Sequence, residues 1–197
     1  MTDVKDQGSC GACWAFAAAG AMEGVYAISK NSLVSFSEQQ FIDCTTDYGN
    51  MGCSGGQMDS CYEYLKSNAL ENDGDYIYRG TDNNTCTQDP KKGIVYTTGF
   101  TDIPKDTDQL KKAVNKQPTS VSIDGSILKS YTSGVIKAAD CTSNISHGAL
   151  IVGYNTTGGY WKLKNSSGPN WGEDGYFRLE LGANTCGILE AASYPEL

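Results

Sequence analysis

The sequence predicts an α+β protein of two lobes, helical first and β-rich second. Three observations carry that expectation. An apolar helical segment opens at Cys13, alternating strand patterns crowd the second half, and 23 glycines provide the many tight turns such a chain needs. Helices first and antiparallel strands later divide the chain near residue 100, into residues 1–100 and 101–197.

The elements follow in order. From Cys13 to Lys30 apolar side chains cover nearly every side of the helix, so it is expected to be buried. The segment from Ser35 to Asp43 starts a second helix, with Ser37 as N-cap and Gln40 at the capping-box position. A third is expected from Gln57 to about Asn68, and the Asp-, Asn-, Gly- and Thr-rich residues 72–90 read as loop. Strand alternation marks Thr119–Asp124, His147–Tyr154, Gly159–Lys164 and Gly175–Glu180, with Gly158-Gly159 as a hairpin turn.

Composition narrows the function. A net charge of −8 and a pI near 4.6 argue against nucleic acid, whose binding needs clustered Lys and Arg. No apolar run is long enough to span a membrane, and no secretory leader is legible in the chain. Eight cysteines (10, 13, 44, 53, 61, 86, 141 and 186) point to an oxidising compartment with several disulfides. No second Cys or His pair matches the Cys10-Gly-Ala-Cys13 spacing, so a zinc site is poorly supported. The segment also lacks the β-α-β context of a redox motif. Asn83-Asn-Thr85, Asn144-Ile-Ser146, Asn155-Thr-Thr157 and Asn165-Ser-Ser167 fit the N-glycosylation acceptor pattern.

The chain has one histidine, His147, at the head of an apolar strand between Ser146 and Gly148. Thiol peptidase chemistry needs a thiolate, a His to protonate the leaving amine, and a third group to orient the His. Gln7-Gly-Ser-Cys-Gly-Ala-Cys-Trp-Ala-Phe16 carries the papain/cathepsin nucleophile signature, with His147 lying 134 residues and Asn165 lying 152 residues beyond Cys13. Gly52-Cys-Ser-Gly-Gly56, Ser146-His-Gly148, Lys164-Asn-Ser-Ser-Gly168, Trp171-Gly-Glu-Asp-Gly-Tyr176 and Cys186-Gly follow in the same order. By these blocks the chain resembles the papain-like, cathepsin L-like cysteine peptidases.

The resemblance implies a helical left lobe and a barrel-like antiparallel right lobe with the active-site cleft between them. It implies Cys13 as nucleophile, His147 as acid/base partner, Asn165 orienting His147, and Gln7 with the Cys13 N–H as oxyanion hole. It pairs Cys10 with Cys53, Cys44 with Cys86 and Cys141 with Cys186, leaving Cys13 free and Cys61 as a small buried residue. The substrate groove would be built from Gly55, Gly56 and Trp171. Gln57, Met58, Ser122, Ile145 and Gly148 would wall a pocket for the second residue before the scissile bond, floored by Ala191 and free of acidic groups. That pocket favours a hydrophobic residue, and the absence of a His-bearing insertion favours endopeptidase action. No cofactor is implied. The implied partners are polypeptide substrates, an inhibitory pro-segment and cystatin-like inhibitors, acting on a monomer in a lysosome or vacuole or after secretion.

Three departures stand out. Ser167 replaces the Trp that shields the His–Asn hydrogen bond in relatives, so reduced turnover is expected. Ser146 replaces an Asp or Asn, which should alter the pH profile. Relatives carry further residues, including an Asp-Trp pair, ahead of the segment that begins here at Met1, so the chain reads as shortened. Two rival readings remain: a weakened or inactive relative serving as a binding or structural module, and a Cys-His acyl transferase.

Overall fold

The computed structural model describes residues 1–82 and 85–197, so the Asn83 acceptor tripeptide lies outside the described residues. Helix α1, Cys13–Lys30, is buried along most of its length, as its all-round apolar pattern requires. It ends at Asn31, whose left-handed backbone (φ 51°) closes the last turn.

Helix α2, Glu38–Cys44, starts from Ser37, whose hydroxyl accepts the Gln40 backbone N–H at 3.0 Å. The return bond of a capping box is replaced, since the Ser37 N–H donates to the Glu71 carbonyl at 3.0 Å. The Gln40 amide instead donates to the Tyr64 hydroxyl and the Ala69 carbonyl and accepts the Glu71 N–H, joining three segments. Helix α3 is shorter than expected, Met58–Tyr64, and unwinds through turns to Asn68.

The second half is β-rich as expected but adds a helix that the strand patterns did not announce. Strand β1, Gly99–Asp102, is followed by helix α4, Thr107–Lys116, before β2, Thr119–Ile123. Helix α4 has the marks of an amphipathic surface helix: Asp106 caps the Gln109 N–H at 2.9 Å, and Leu110 and Ala113 are its buried face. Then come β3, Val135–Ile136, β4, His147–Asn155, β5, Tyr160–Lys164, β6, Tyr176–Glu180, and β7, Ala191–Glu196.

The seven strands form one open sheet in the order β1-β7-β2-β4-β5-β6-β3. Every pairing is antiparallel except β3 with β6 at one edge. No helix among the described residues is long and apolar enough to cross a membrane.

Two apolar cores sit on either side of β4. One gathers α1, α2 and α3 around Trp14, Phe36, Phe41 and Tyr62, and the other gathers the sheet around Ile123, Trp161, Leu163 and Phe177. Successive side chains of a strand point to opposite faces. Leu150 and Val152 therefore pack with the helices, while Ala149 and Ile151 join the sheet core.

The helix face comes very close to β4. A Cβ on Gly20 would stand 2.7 Å from Leu150 Cδ2, so a larger residue there would have to push the Leu150 side chain aside. The same parity turns Gly148 toward the helix start. A Cβ there would lie 3.0 Å from the Trp14 nitrogen and 3.1 Å from Cys13 backbone atoms. The first turn of α1 thus meets the first residues of β4 backbone to backbone.

Candidate active site

That meeting point assembles the chemistry. Ala12 supplies no side-chain cap, and the Ala15 and Phe16 N–H groups turn back onto its carbonyl, so the Cys13 and Trp14 N–H groups remain available where the helix dipole is positive. Cys13 sits there. The Gly148 N–H donates to its sulfur at 3.3 Å.

Burial alone would push the Cys13 thiol up. The hydrogen bond and charge of His147, with the Gly148 and Trp14 N–H groups, outweigh burial and hold the thiol below its ordinary value. Burial would likewise lower His147, but the Cys13 thiolate and Asn165 hold it above the ordinary imidazole range. Each partner stabilises the other's charged form.

His147 Nε2 bonds Asn165 Oδ1 at 2.8 Å, which leaves Nδ1 for Cys13. Asn165 is 6% exposed, and its Nδ2 donates to the Ser167 hydroxyl at 3.1 Å. The absence of a shielding Trp therefore does not leave the Asn165 amide open to water. Gln7 is anchored from both ends of its amide: Oε1 accepts the Ser166 hydroxyl at 2.5 Å and Nε2 donates to the Cys10 carbonyl at 2.9 Å. One Nε2 proton remains for a ligand.

The cleft beside these residues is about 440 Å³. One wall comes from the helical half, through Gln7, Trp14 and the segment from Cys53 to Met58. The other comes from the sheet, through Ser122 and the segment Ile145–Gly148. Gly55 lies on the wall with φ 116°, and Gly56 is hemmed in, since a Cβ would meet Asn50 Oδ1 at 2.6 Å and Trp14 Cδ2 at 2.7 Å.

Eleven expected residues thus meet at the cleft: Gln7, Cys13, His147, Gly55, Gly56, Gln57, Met58, Ser122, Ile145 and Gly148 line or face it, and Asn165 stands behind His147. Two do not line it. Trp171 stacks with Tyr131 and Phe177. Ala191 lines an adjoining pocket of about 320 Å³ that shares only Gln57 and Met58 with the cleft. Contrary to the acid-free floor expected, that pocket also holds Asp59, Asp102 and Glu190. Asp59 accepts the Ser193 hydroxyl at 2.5 Å and Glu190 pairs with Lys105 at 2.6 Å.

The disulfides join Cys10 to Cys53, Cys44 to Cys86 and Cys141 to Cys186, and Cys13 and Cys61 are the free thiols. Cys61 is fully buried, and burial pushes its thiol well up.

Sequence reasoning missed a cluster directly behind the site. Lys5, Glu23, Glu38 and Lys164 surround a cavity of about 20 Å³ that Cys13 and Asn165 also line. Lys5 Nζ pairs with Glu38 at 2.7 Å and with Glu23 at 3.4 Å, while Lys164 Nζ donates to the Thr2 carbonyl at 2.9 Å. The one available signal was Glu23, a lone carboxylate inside an all-apolar helix.

The family model described as papain family cysteine protease matches residues 1–196. A probable cysteine protease RD21C of Arabidopsis thaliana is 46% identical over 99% of this chain and 45% of that protein. A cathepsin L of Sarcophaga peregrina is 44% identical over 99% of the chain and 60% of that protein. The chain thus spans about half to three-fifths of the length of these relatives. Among solved structures, digestive procathepsin L 3 of Tenebrio molitor larval midgut superposes with a TM-score of 0.95 at 40% identity, covering 100% of this chain and 67% of that one. The Carica candamarcensis cysteine protease CMS1MS2, in complex with E-64, gives 0.91 at 30% identity, covering 100% and 93%.

Proposed function

The chain belongs to the papain family of cysteine proteases, and from that premise we propose that it is a cysteine endopeptidase. The observation that carries the reading is the mutual shift of Cys13 and His147, thiol down and imidazole up, at a helix start facing an open cleft. A thiolate–imidazolium pair is the resting form of such a catalyst.

In the proposed reaction the Cys13 sulfur attacks the scissile carbonyl carbon. The oxyanion that forms is received by the free Gln7 Nε2 proton and the Cys13 N–H. His147, held by Asn165, gives its Nδ1 proton to the leaving amine, which departs and leaves a thioester on Cys13. His147 then takes a proton from water, which attacks the thioester and restores the thiolate.

The substrate lies extended along Gly55 and Gly56, with its second residue before the scissile bond against Gln57, Met58, Ser122, Ile145 and Gly148. A hydrophobic residue suits these walls, because no carboxylate lines them and two of the three in the adjoining pocket, Asp59 and Glu190, are already engaged by Ser193 and Lys105. The two cores support a division into lobes near residue 100. A relative solved in its proform and another with E-64 support an inhibitory pro-segment and active-site inhibitors as partners. Three disulfides favour a secretory or lysosome-like compartment.

Hydrolysis of a blocked Phe-Arg fluorogenic amide at mildly acidic pH with reductant tests the reading. Cleavage that disappears in Cys13→Ala is the expected result. A folded parent that leaves the amide intact returns the weight to an inactive binding module.

A further inference from the structure

Four Asn-x-Ser/Thr tripeptides run through the chain, and the proposed chemistry uses the asparagine of only one. With residue 83 outside the described region, Asn144, Asn155 and Asn165 can be compared. An N-glycan is bulky and hydrophilic, so the folded chain must be able to carry it at the surface.

Asn165 cannot. It is 6% exposed, with Oδ1 on His147 and Nδ2 on Ser167. Asn155 is exposed but closes the far end of β4, the strand that begins at His147. At about 3.3 Å per residue that places it roughly 26 Å from the imidazole.

Asn144 differs from both. It lies in the exposed segment 142–146, three positions before His147, and its side-chain amide has no hydrogen-bond partner among the described residues. Its neighbours Ile145 and Ser146 line the cleft, and Ile145 is 40% exposed. The segment is also well anchored. The Cys141–Cys186 disulfide holds one end, Thr142 donates twice to Asp124, and the Asn144 N–H bonds the Thr142 hydroxyl at 3.1 Å.

The geometry points to Asn144 as an N-glycosylation site whose glycan stands at the lip of the cleft and screens Cys13 from large, folded molecules while extended peptides still enter. In the modification, Asn144 Nδ2 attacks the anomeric carbon of a lipid-linked oligosaccharide pyrophosphate. The C–N bond forms as the anomeric C–O bond breaks, the lipid pyrophosphate leaves, and Nδ2 loses one proton. Ser146, whose hydroxyl accepts the Gly125 N–H in the folded chain, is free to complete the acceptor pattern before folding. The attachment and the screen are both independent of the peptidase reading, and only the exclusion of folded substrates rests on it.

The test secretes the full chain from a eukaryotic host and maps glycans by enzymatic release in heavy-oxygen water, which tags each formerly occupied Asn. A tag on Asn144 and none on Asn165 is expected, and an untagged Asn144 overturns the proposal. The screen is then read on Cys13 alkylation, since the other free thiol, Cys61, is fully buried. In Asn144→Gln a polymer-linked maleimide should react several-fold faster than in the parent, with the iodoacetamide rate unchanged. Equal polymer rates overturn the screen whether or not the protein cleaves peptides.

Discussion

Two groups of charges meet where α1 faces the sheet, a few residues apart, and burial acts on them in opposite ways. At Cys13 and His147 it is outweighed, because each charge has an opposite partner and backbone or amide donors aimed at it. Behind them burial prevails at Glu38 and Lys164, though not at Lys5, where burial is outweighed by carboxylate partners that hold the ammonium above the ordinary lysine value. Glu38 is pushed up to about 7 by desolvation in spite of Lys5, and its Oε2 has no hydrogen-bond partner among the described residues. Lys164 is lowered, again by burial first. The difference lies in how many donors each anion receives. The Cys13 sulfur draws on two N–H groups besides His147, whereas Glu38 shares the single Lys5 ammonium with Glu23 and Asp73.

The sharpest way to break the favourable side is to remove a donor from the developing charge. Gln7→Ala should lower kcat by about 10²–10³-fold with little change in KM, since the lost bond matters in the transition state. Steady-state kinetics on the fluorogenic amide measures this. A loss carried mainly by KM would mean that Gln7 holds the ground state.

Glu38→Gln probes the unfavourable side. The folded state raises the Glu38 pKa, so it binds that proton more tightly than the unfolded chain does. The resulting stability is fully present below the unfolded carboxylate value, about 4.3, and is lost as pH rises through about 7. The swing is on the order of 3 kcal/mol. Melting temperatures of a Cys13→Ala background between about pH 4 and pH 8 should fall with pH, and Glu38→Gln should flatten the fall while matching its parent at the acid end. Parallel curves would mean that Glu38 stays ionised throughout.

Ser167→Trp has the smallest expected effect. The Asn165 amide is already buried, and the substitution trades the Ser167 acceptor of its Nδ2 for added shielding of the charge-assisted His147–Asn165 bond, a net change of at most about 1 kcal/mol. A several-fold rise in kcat is the upper bound. A larger rise would mean that water reaches the His147–Asn165 bond after all.

The legible parts of the molecule were those with local causes. Helix α1 declared itself by an apolar run no surface helix carries, and Ser37 by its capping position. The cleft residues were read through contiguous blocks around Cys13, Gly55 and His147. Helix α4 was equally local, with Asp106 as cap and Leu110 and Ala113 on one face, yet its strongly polar composition hid it beside the strand signals. Strand β7 was harder, because Ala191-Ala-Ser-Tyr-Pro-Glu196 has little strand propensity and is held by pairing with β1 and β2. The charged quartet was largely beyond reach: Glu23 stood out inside an apolar helix, but Lys5, Glu38 and Lys164 each read as an ordinary surface charge until the fold brings them together.

The start of α1 also sets a redox problem. Cys13 must stay a thiol, while Cys10, three residues earlier, must stay bonded to Cys53. Access does not separate their fates: Cys10 is 3% exposed, but its partner Cys53 lines the same cleft as Cys13. A reductant that enters to keep the nucleophile reduced therefore also meets one end of the bridge that ties the start of α1 to the cleft wall. On the proposed reading, the thiol supply that sustains Cys13 is bounded above by the concentration at which this bridge opens.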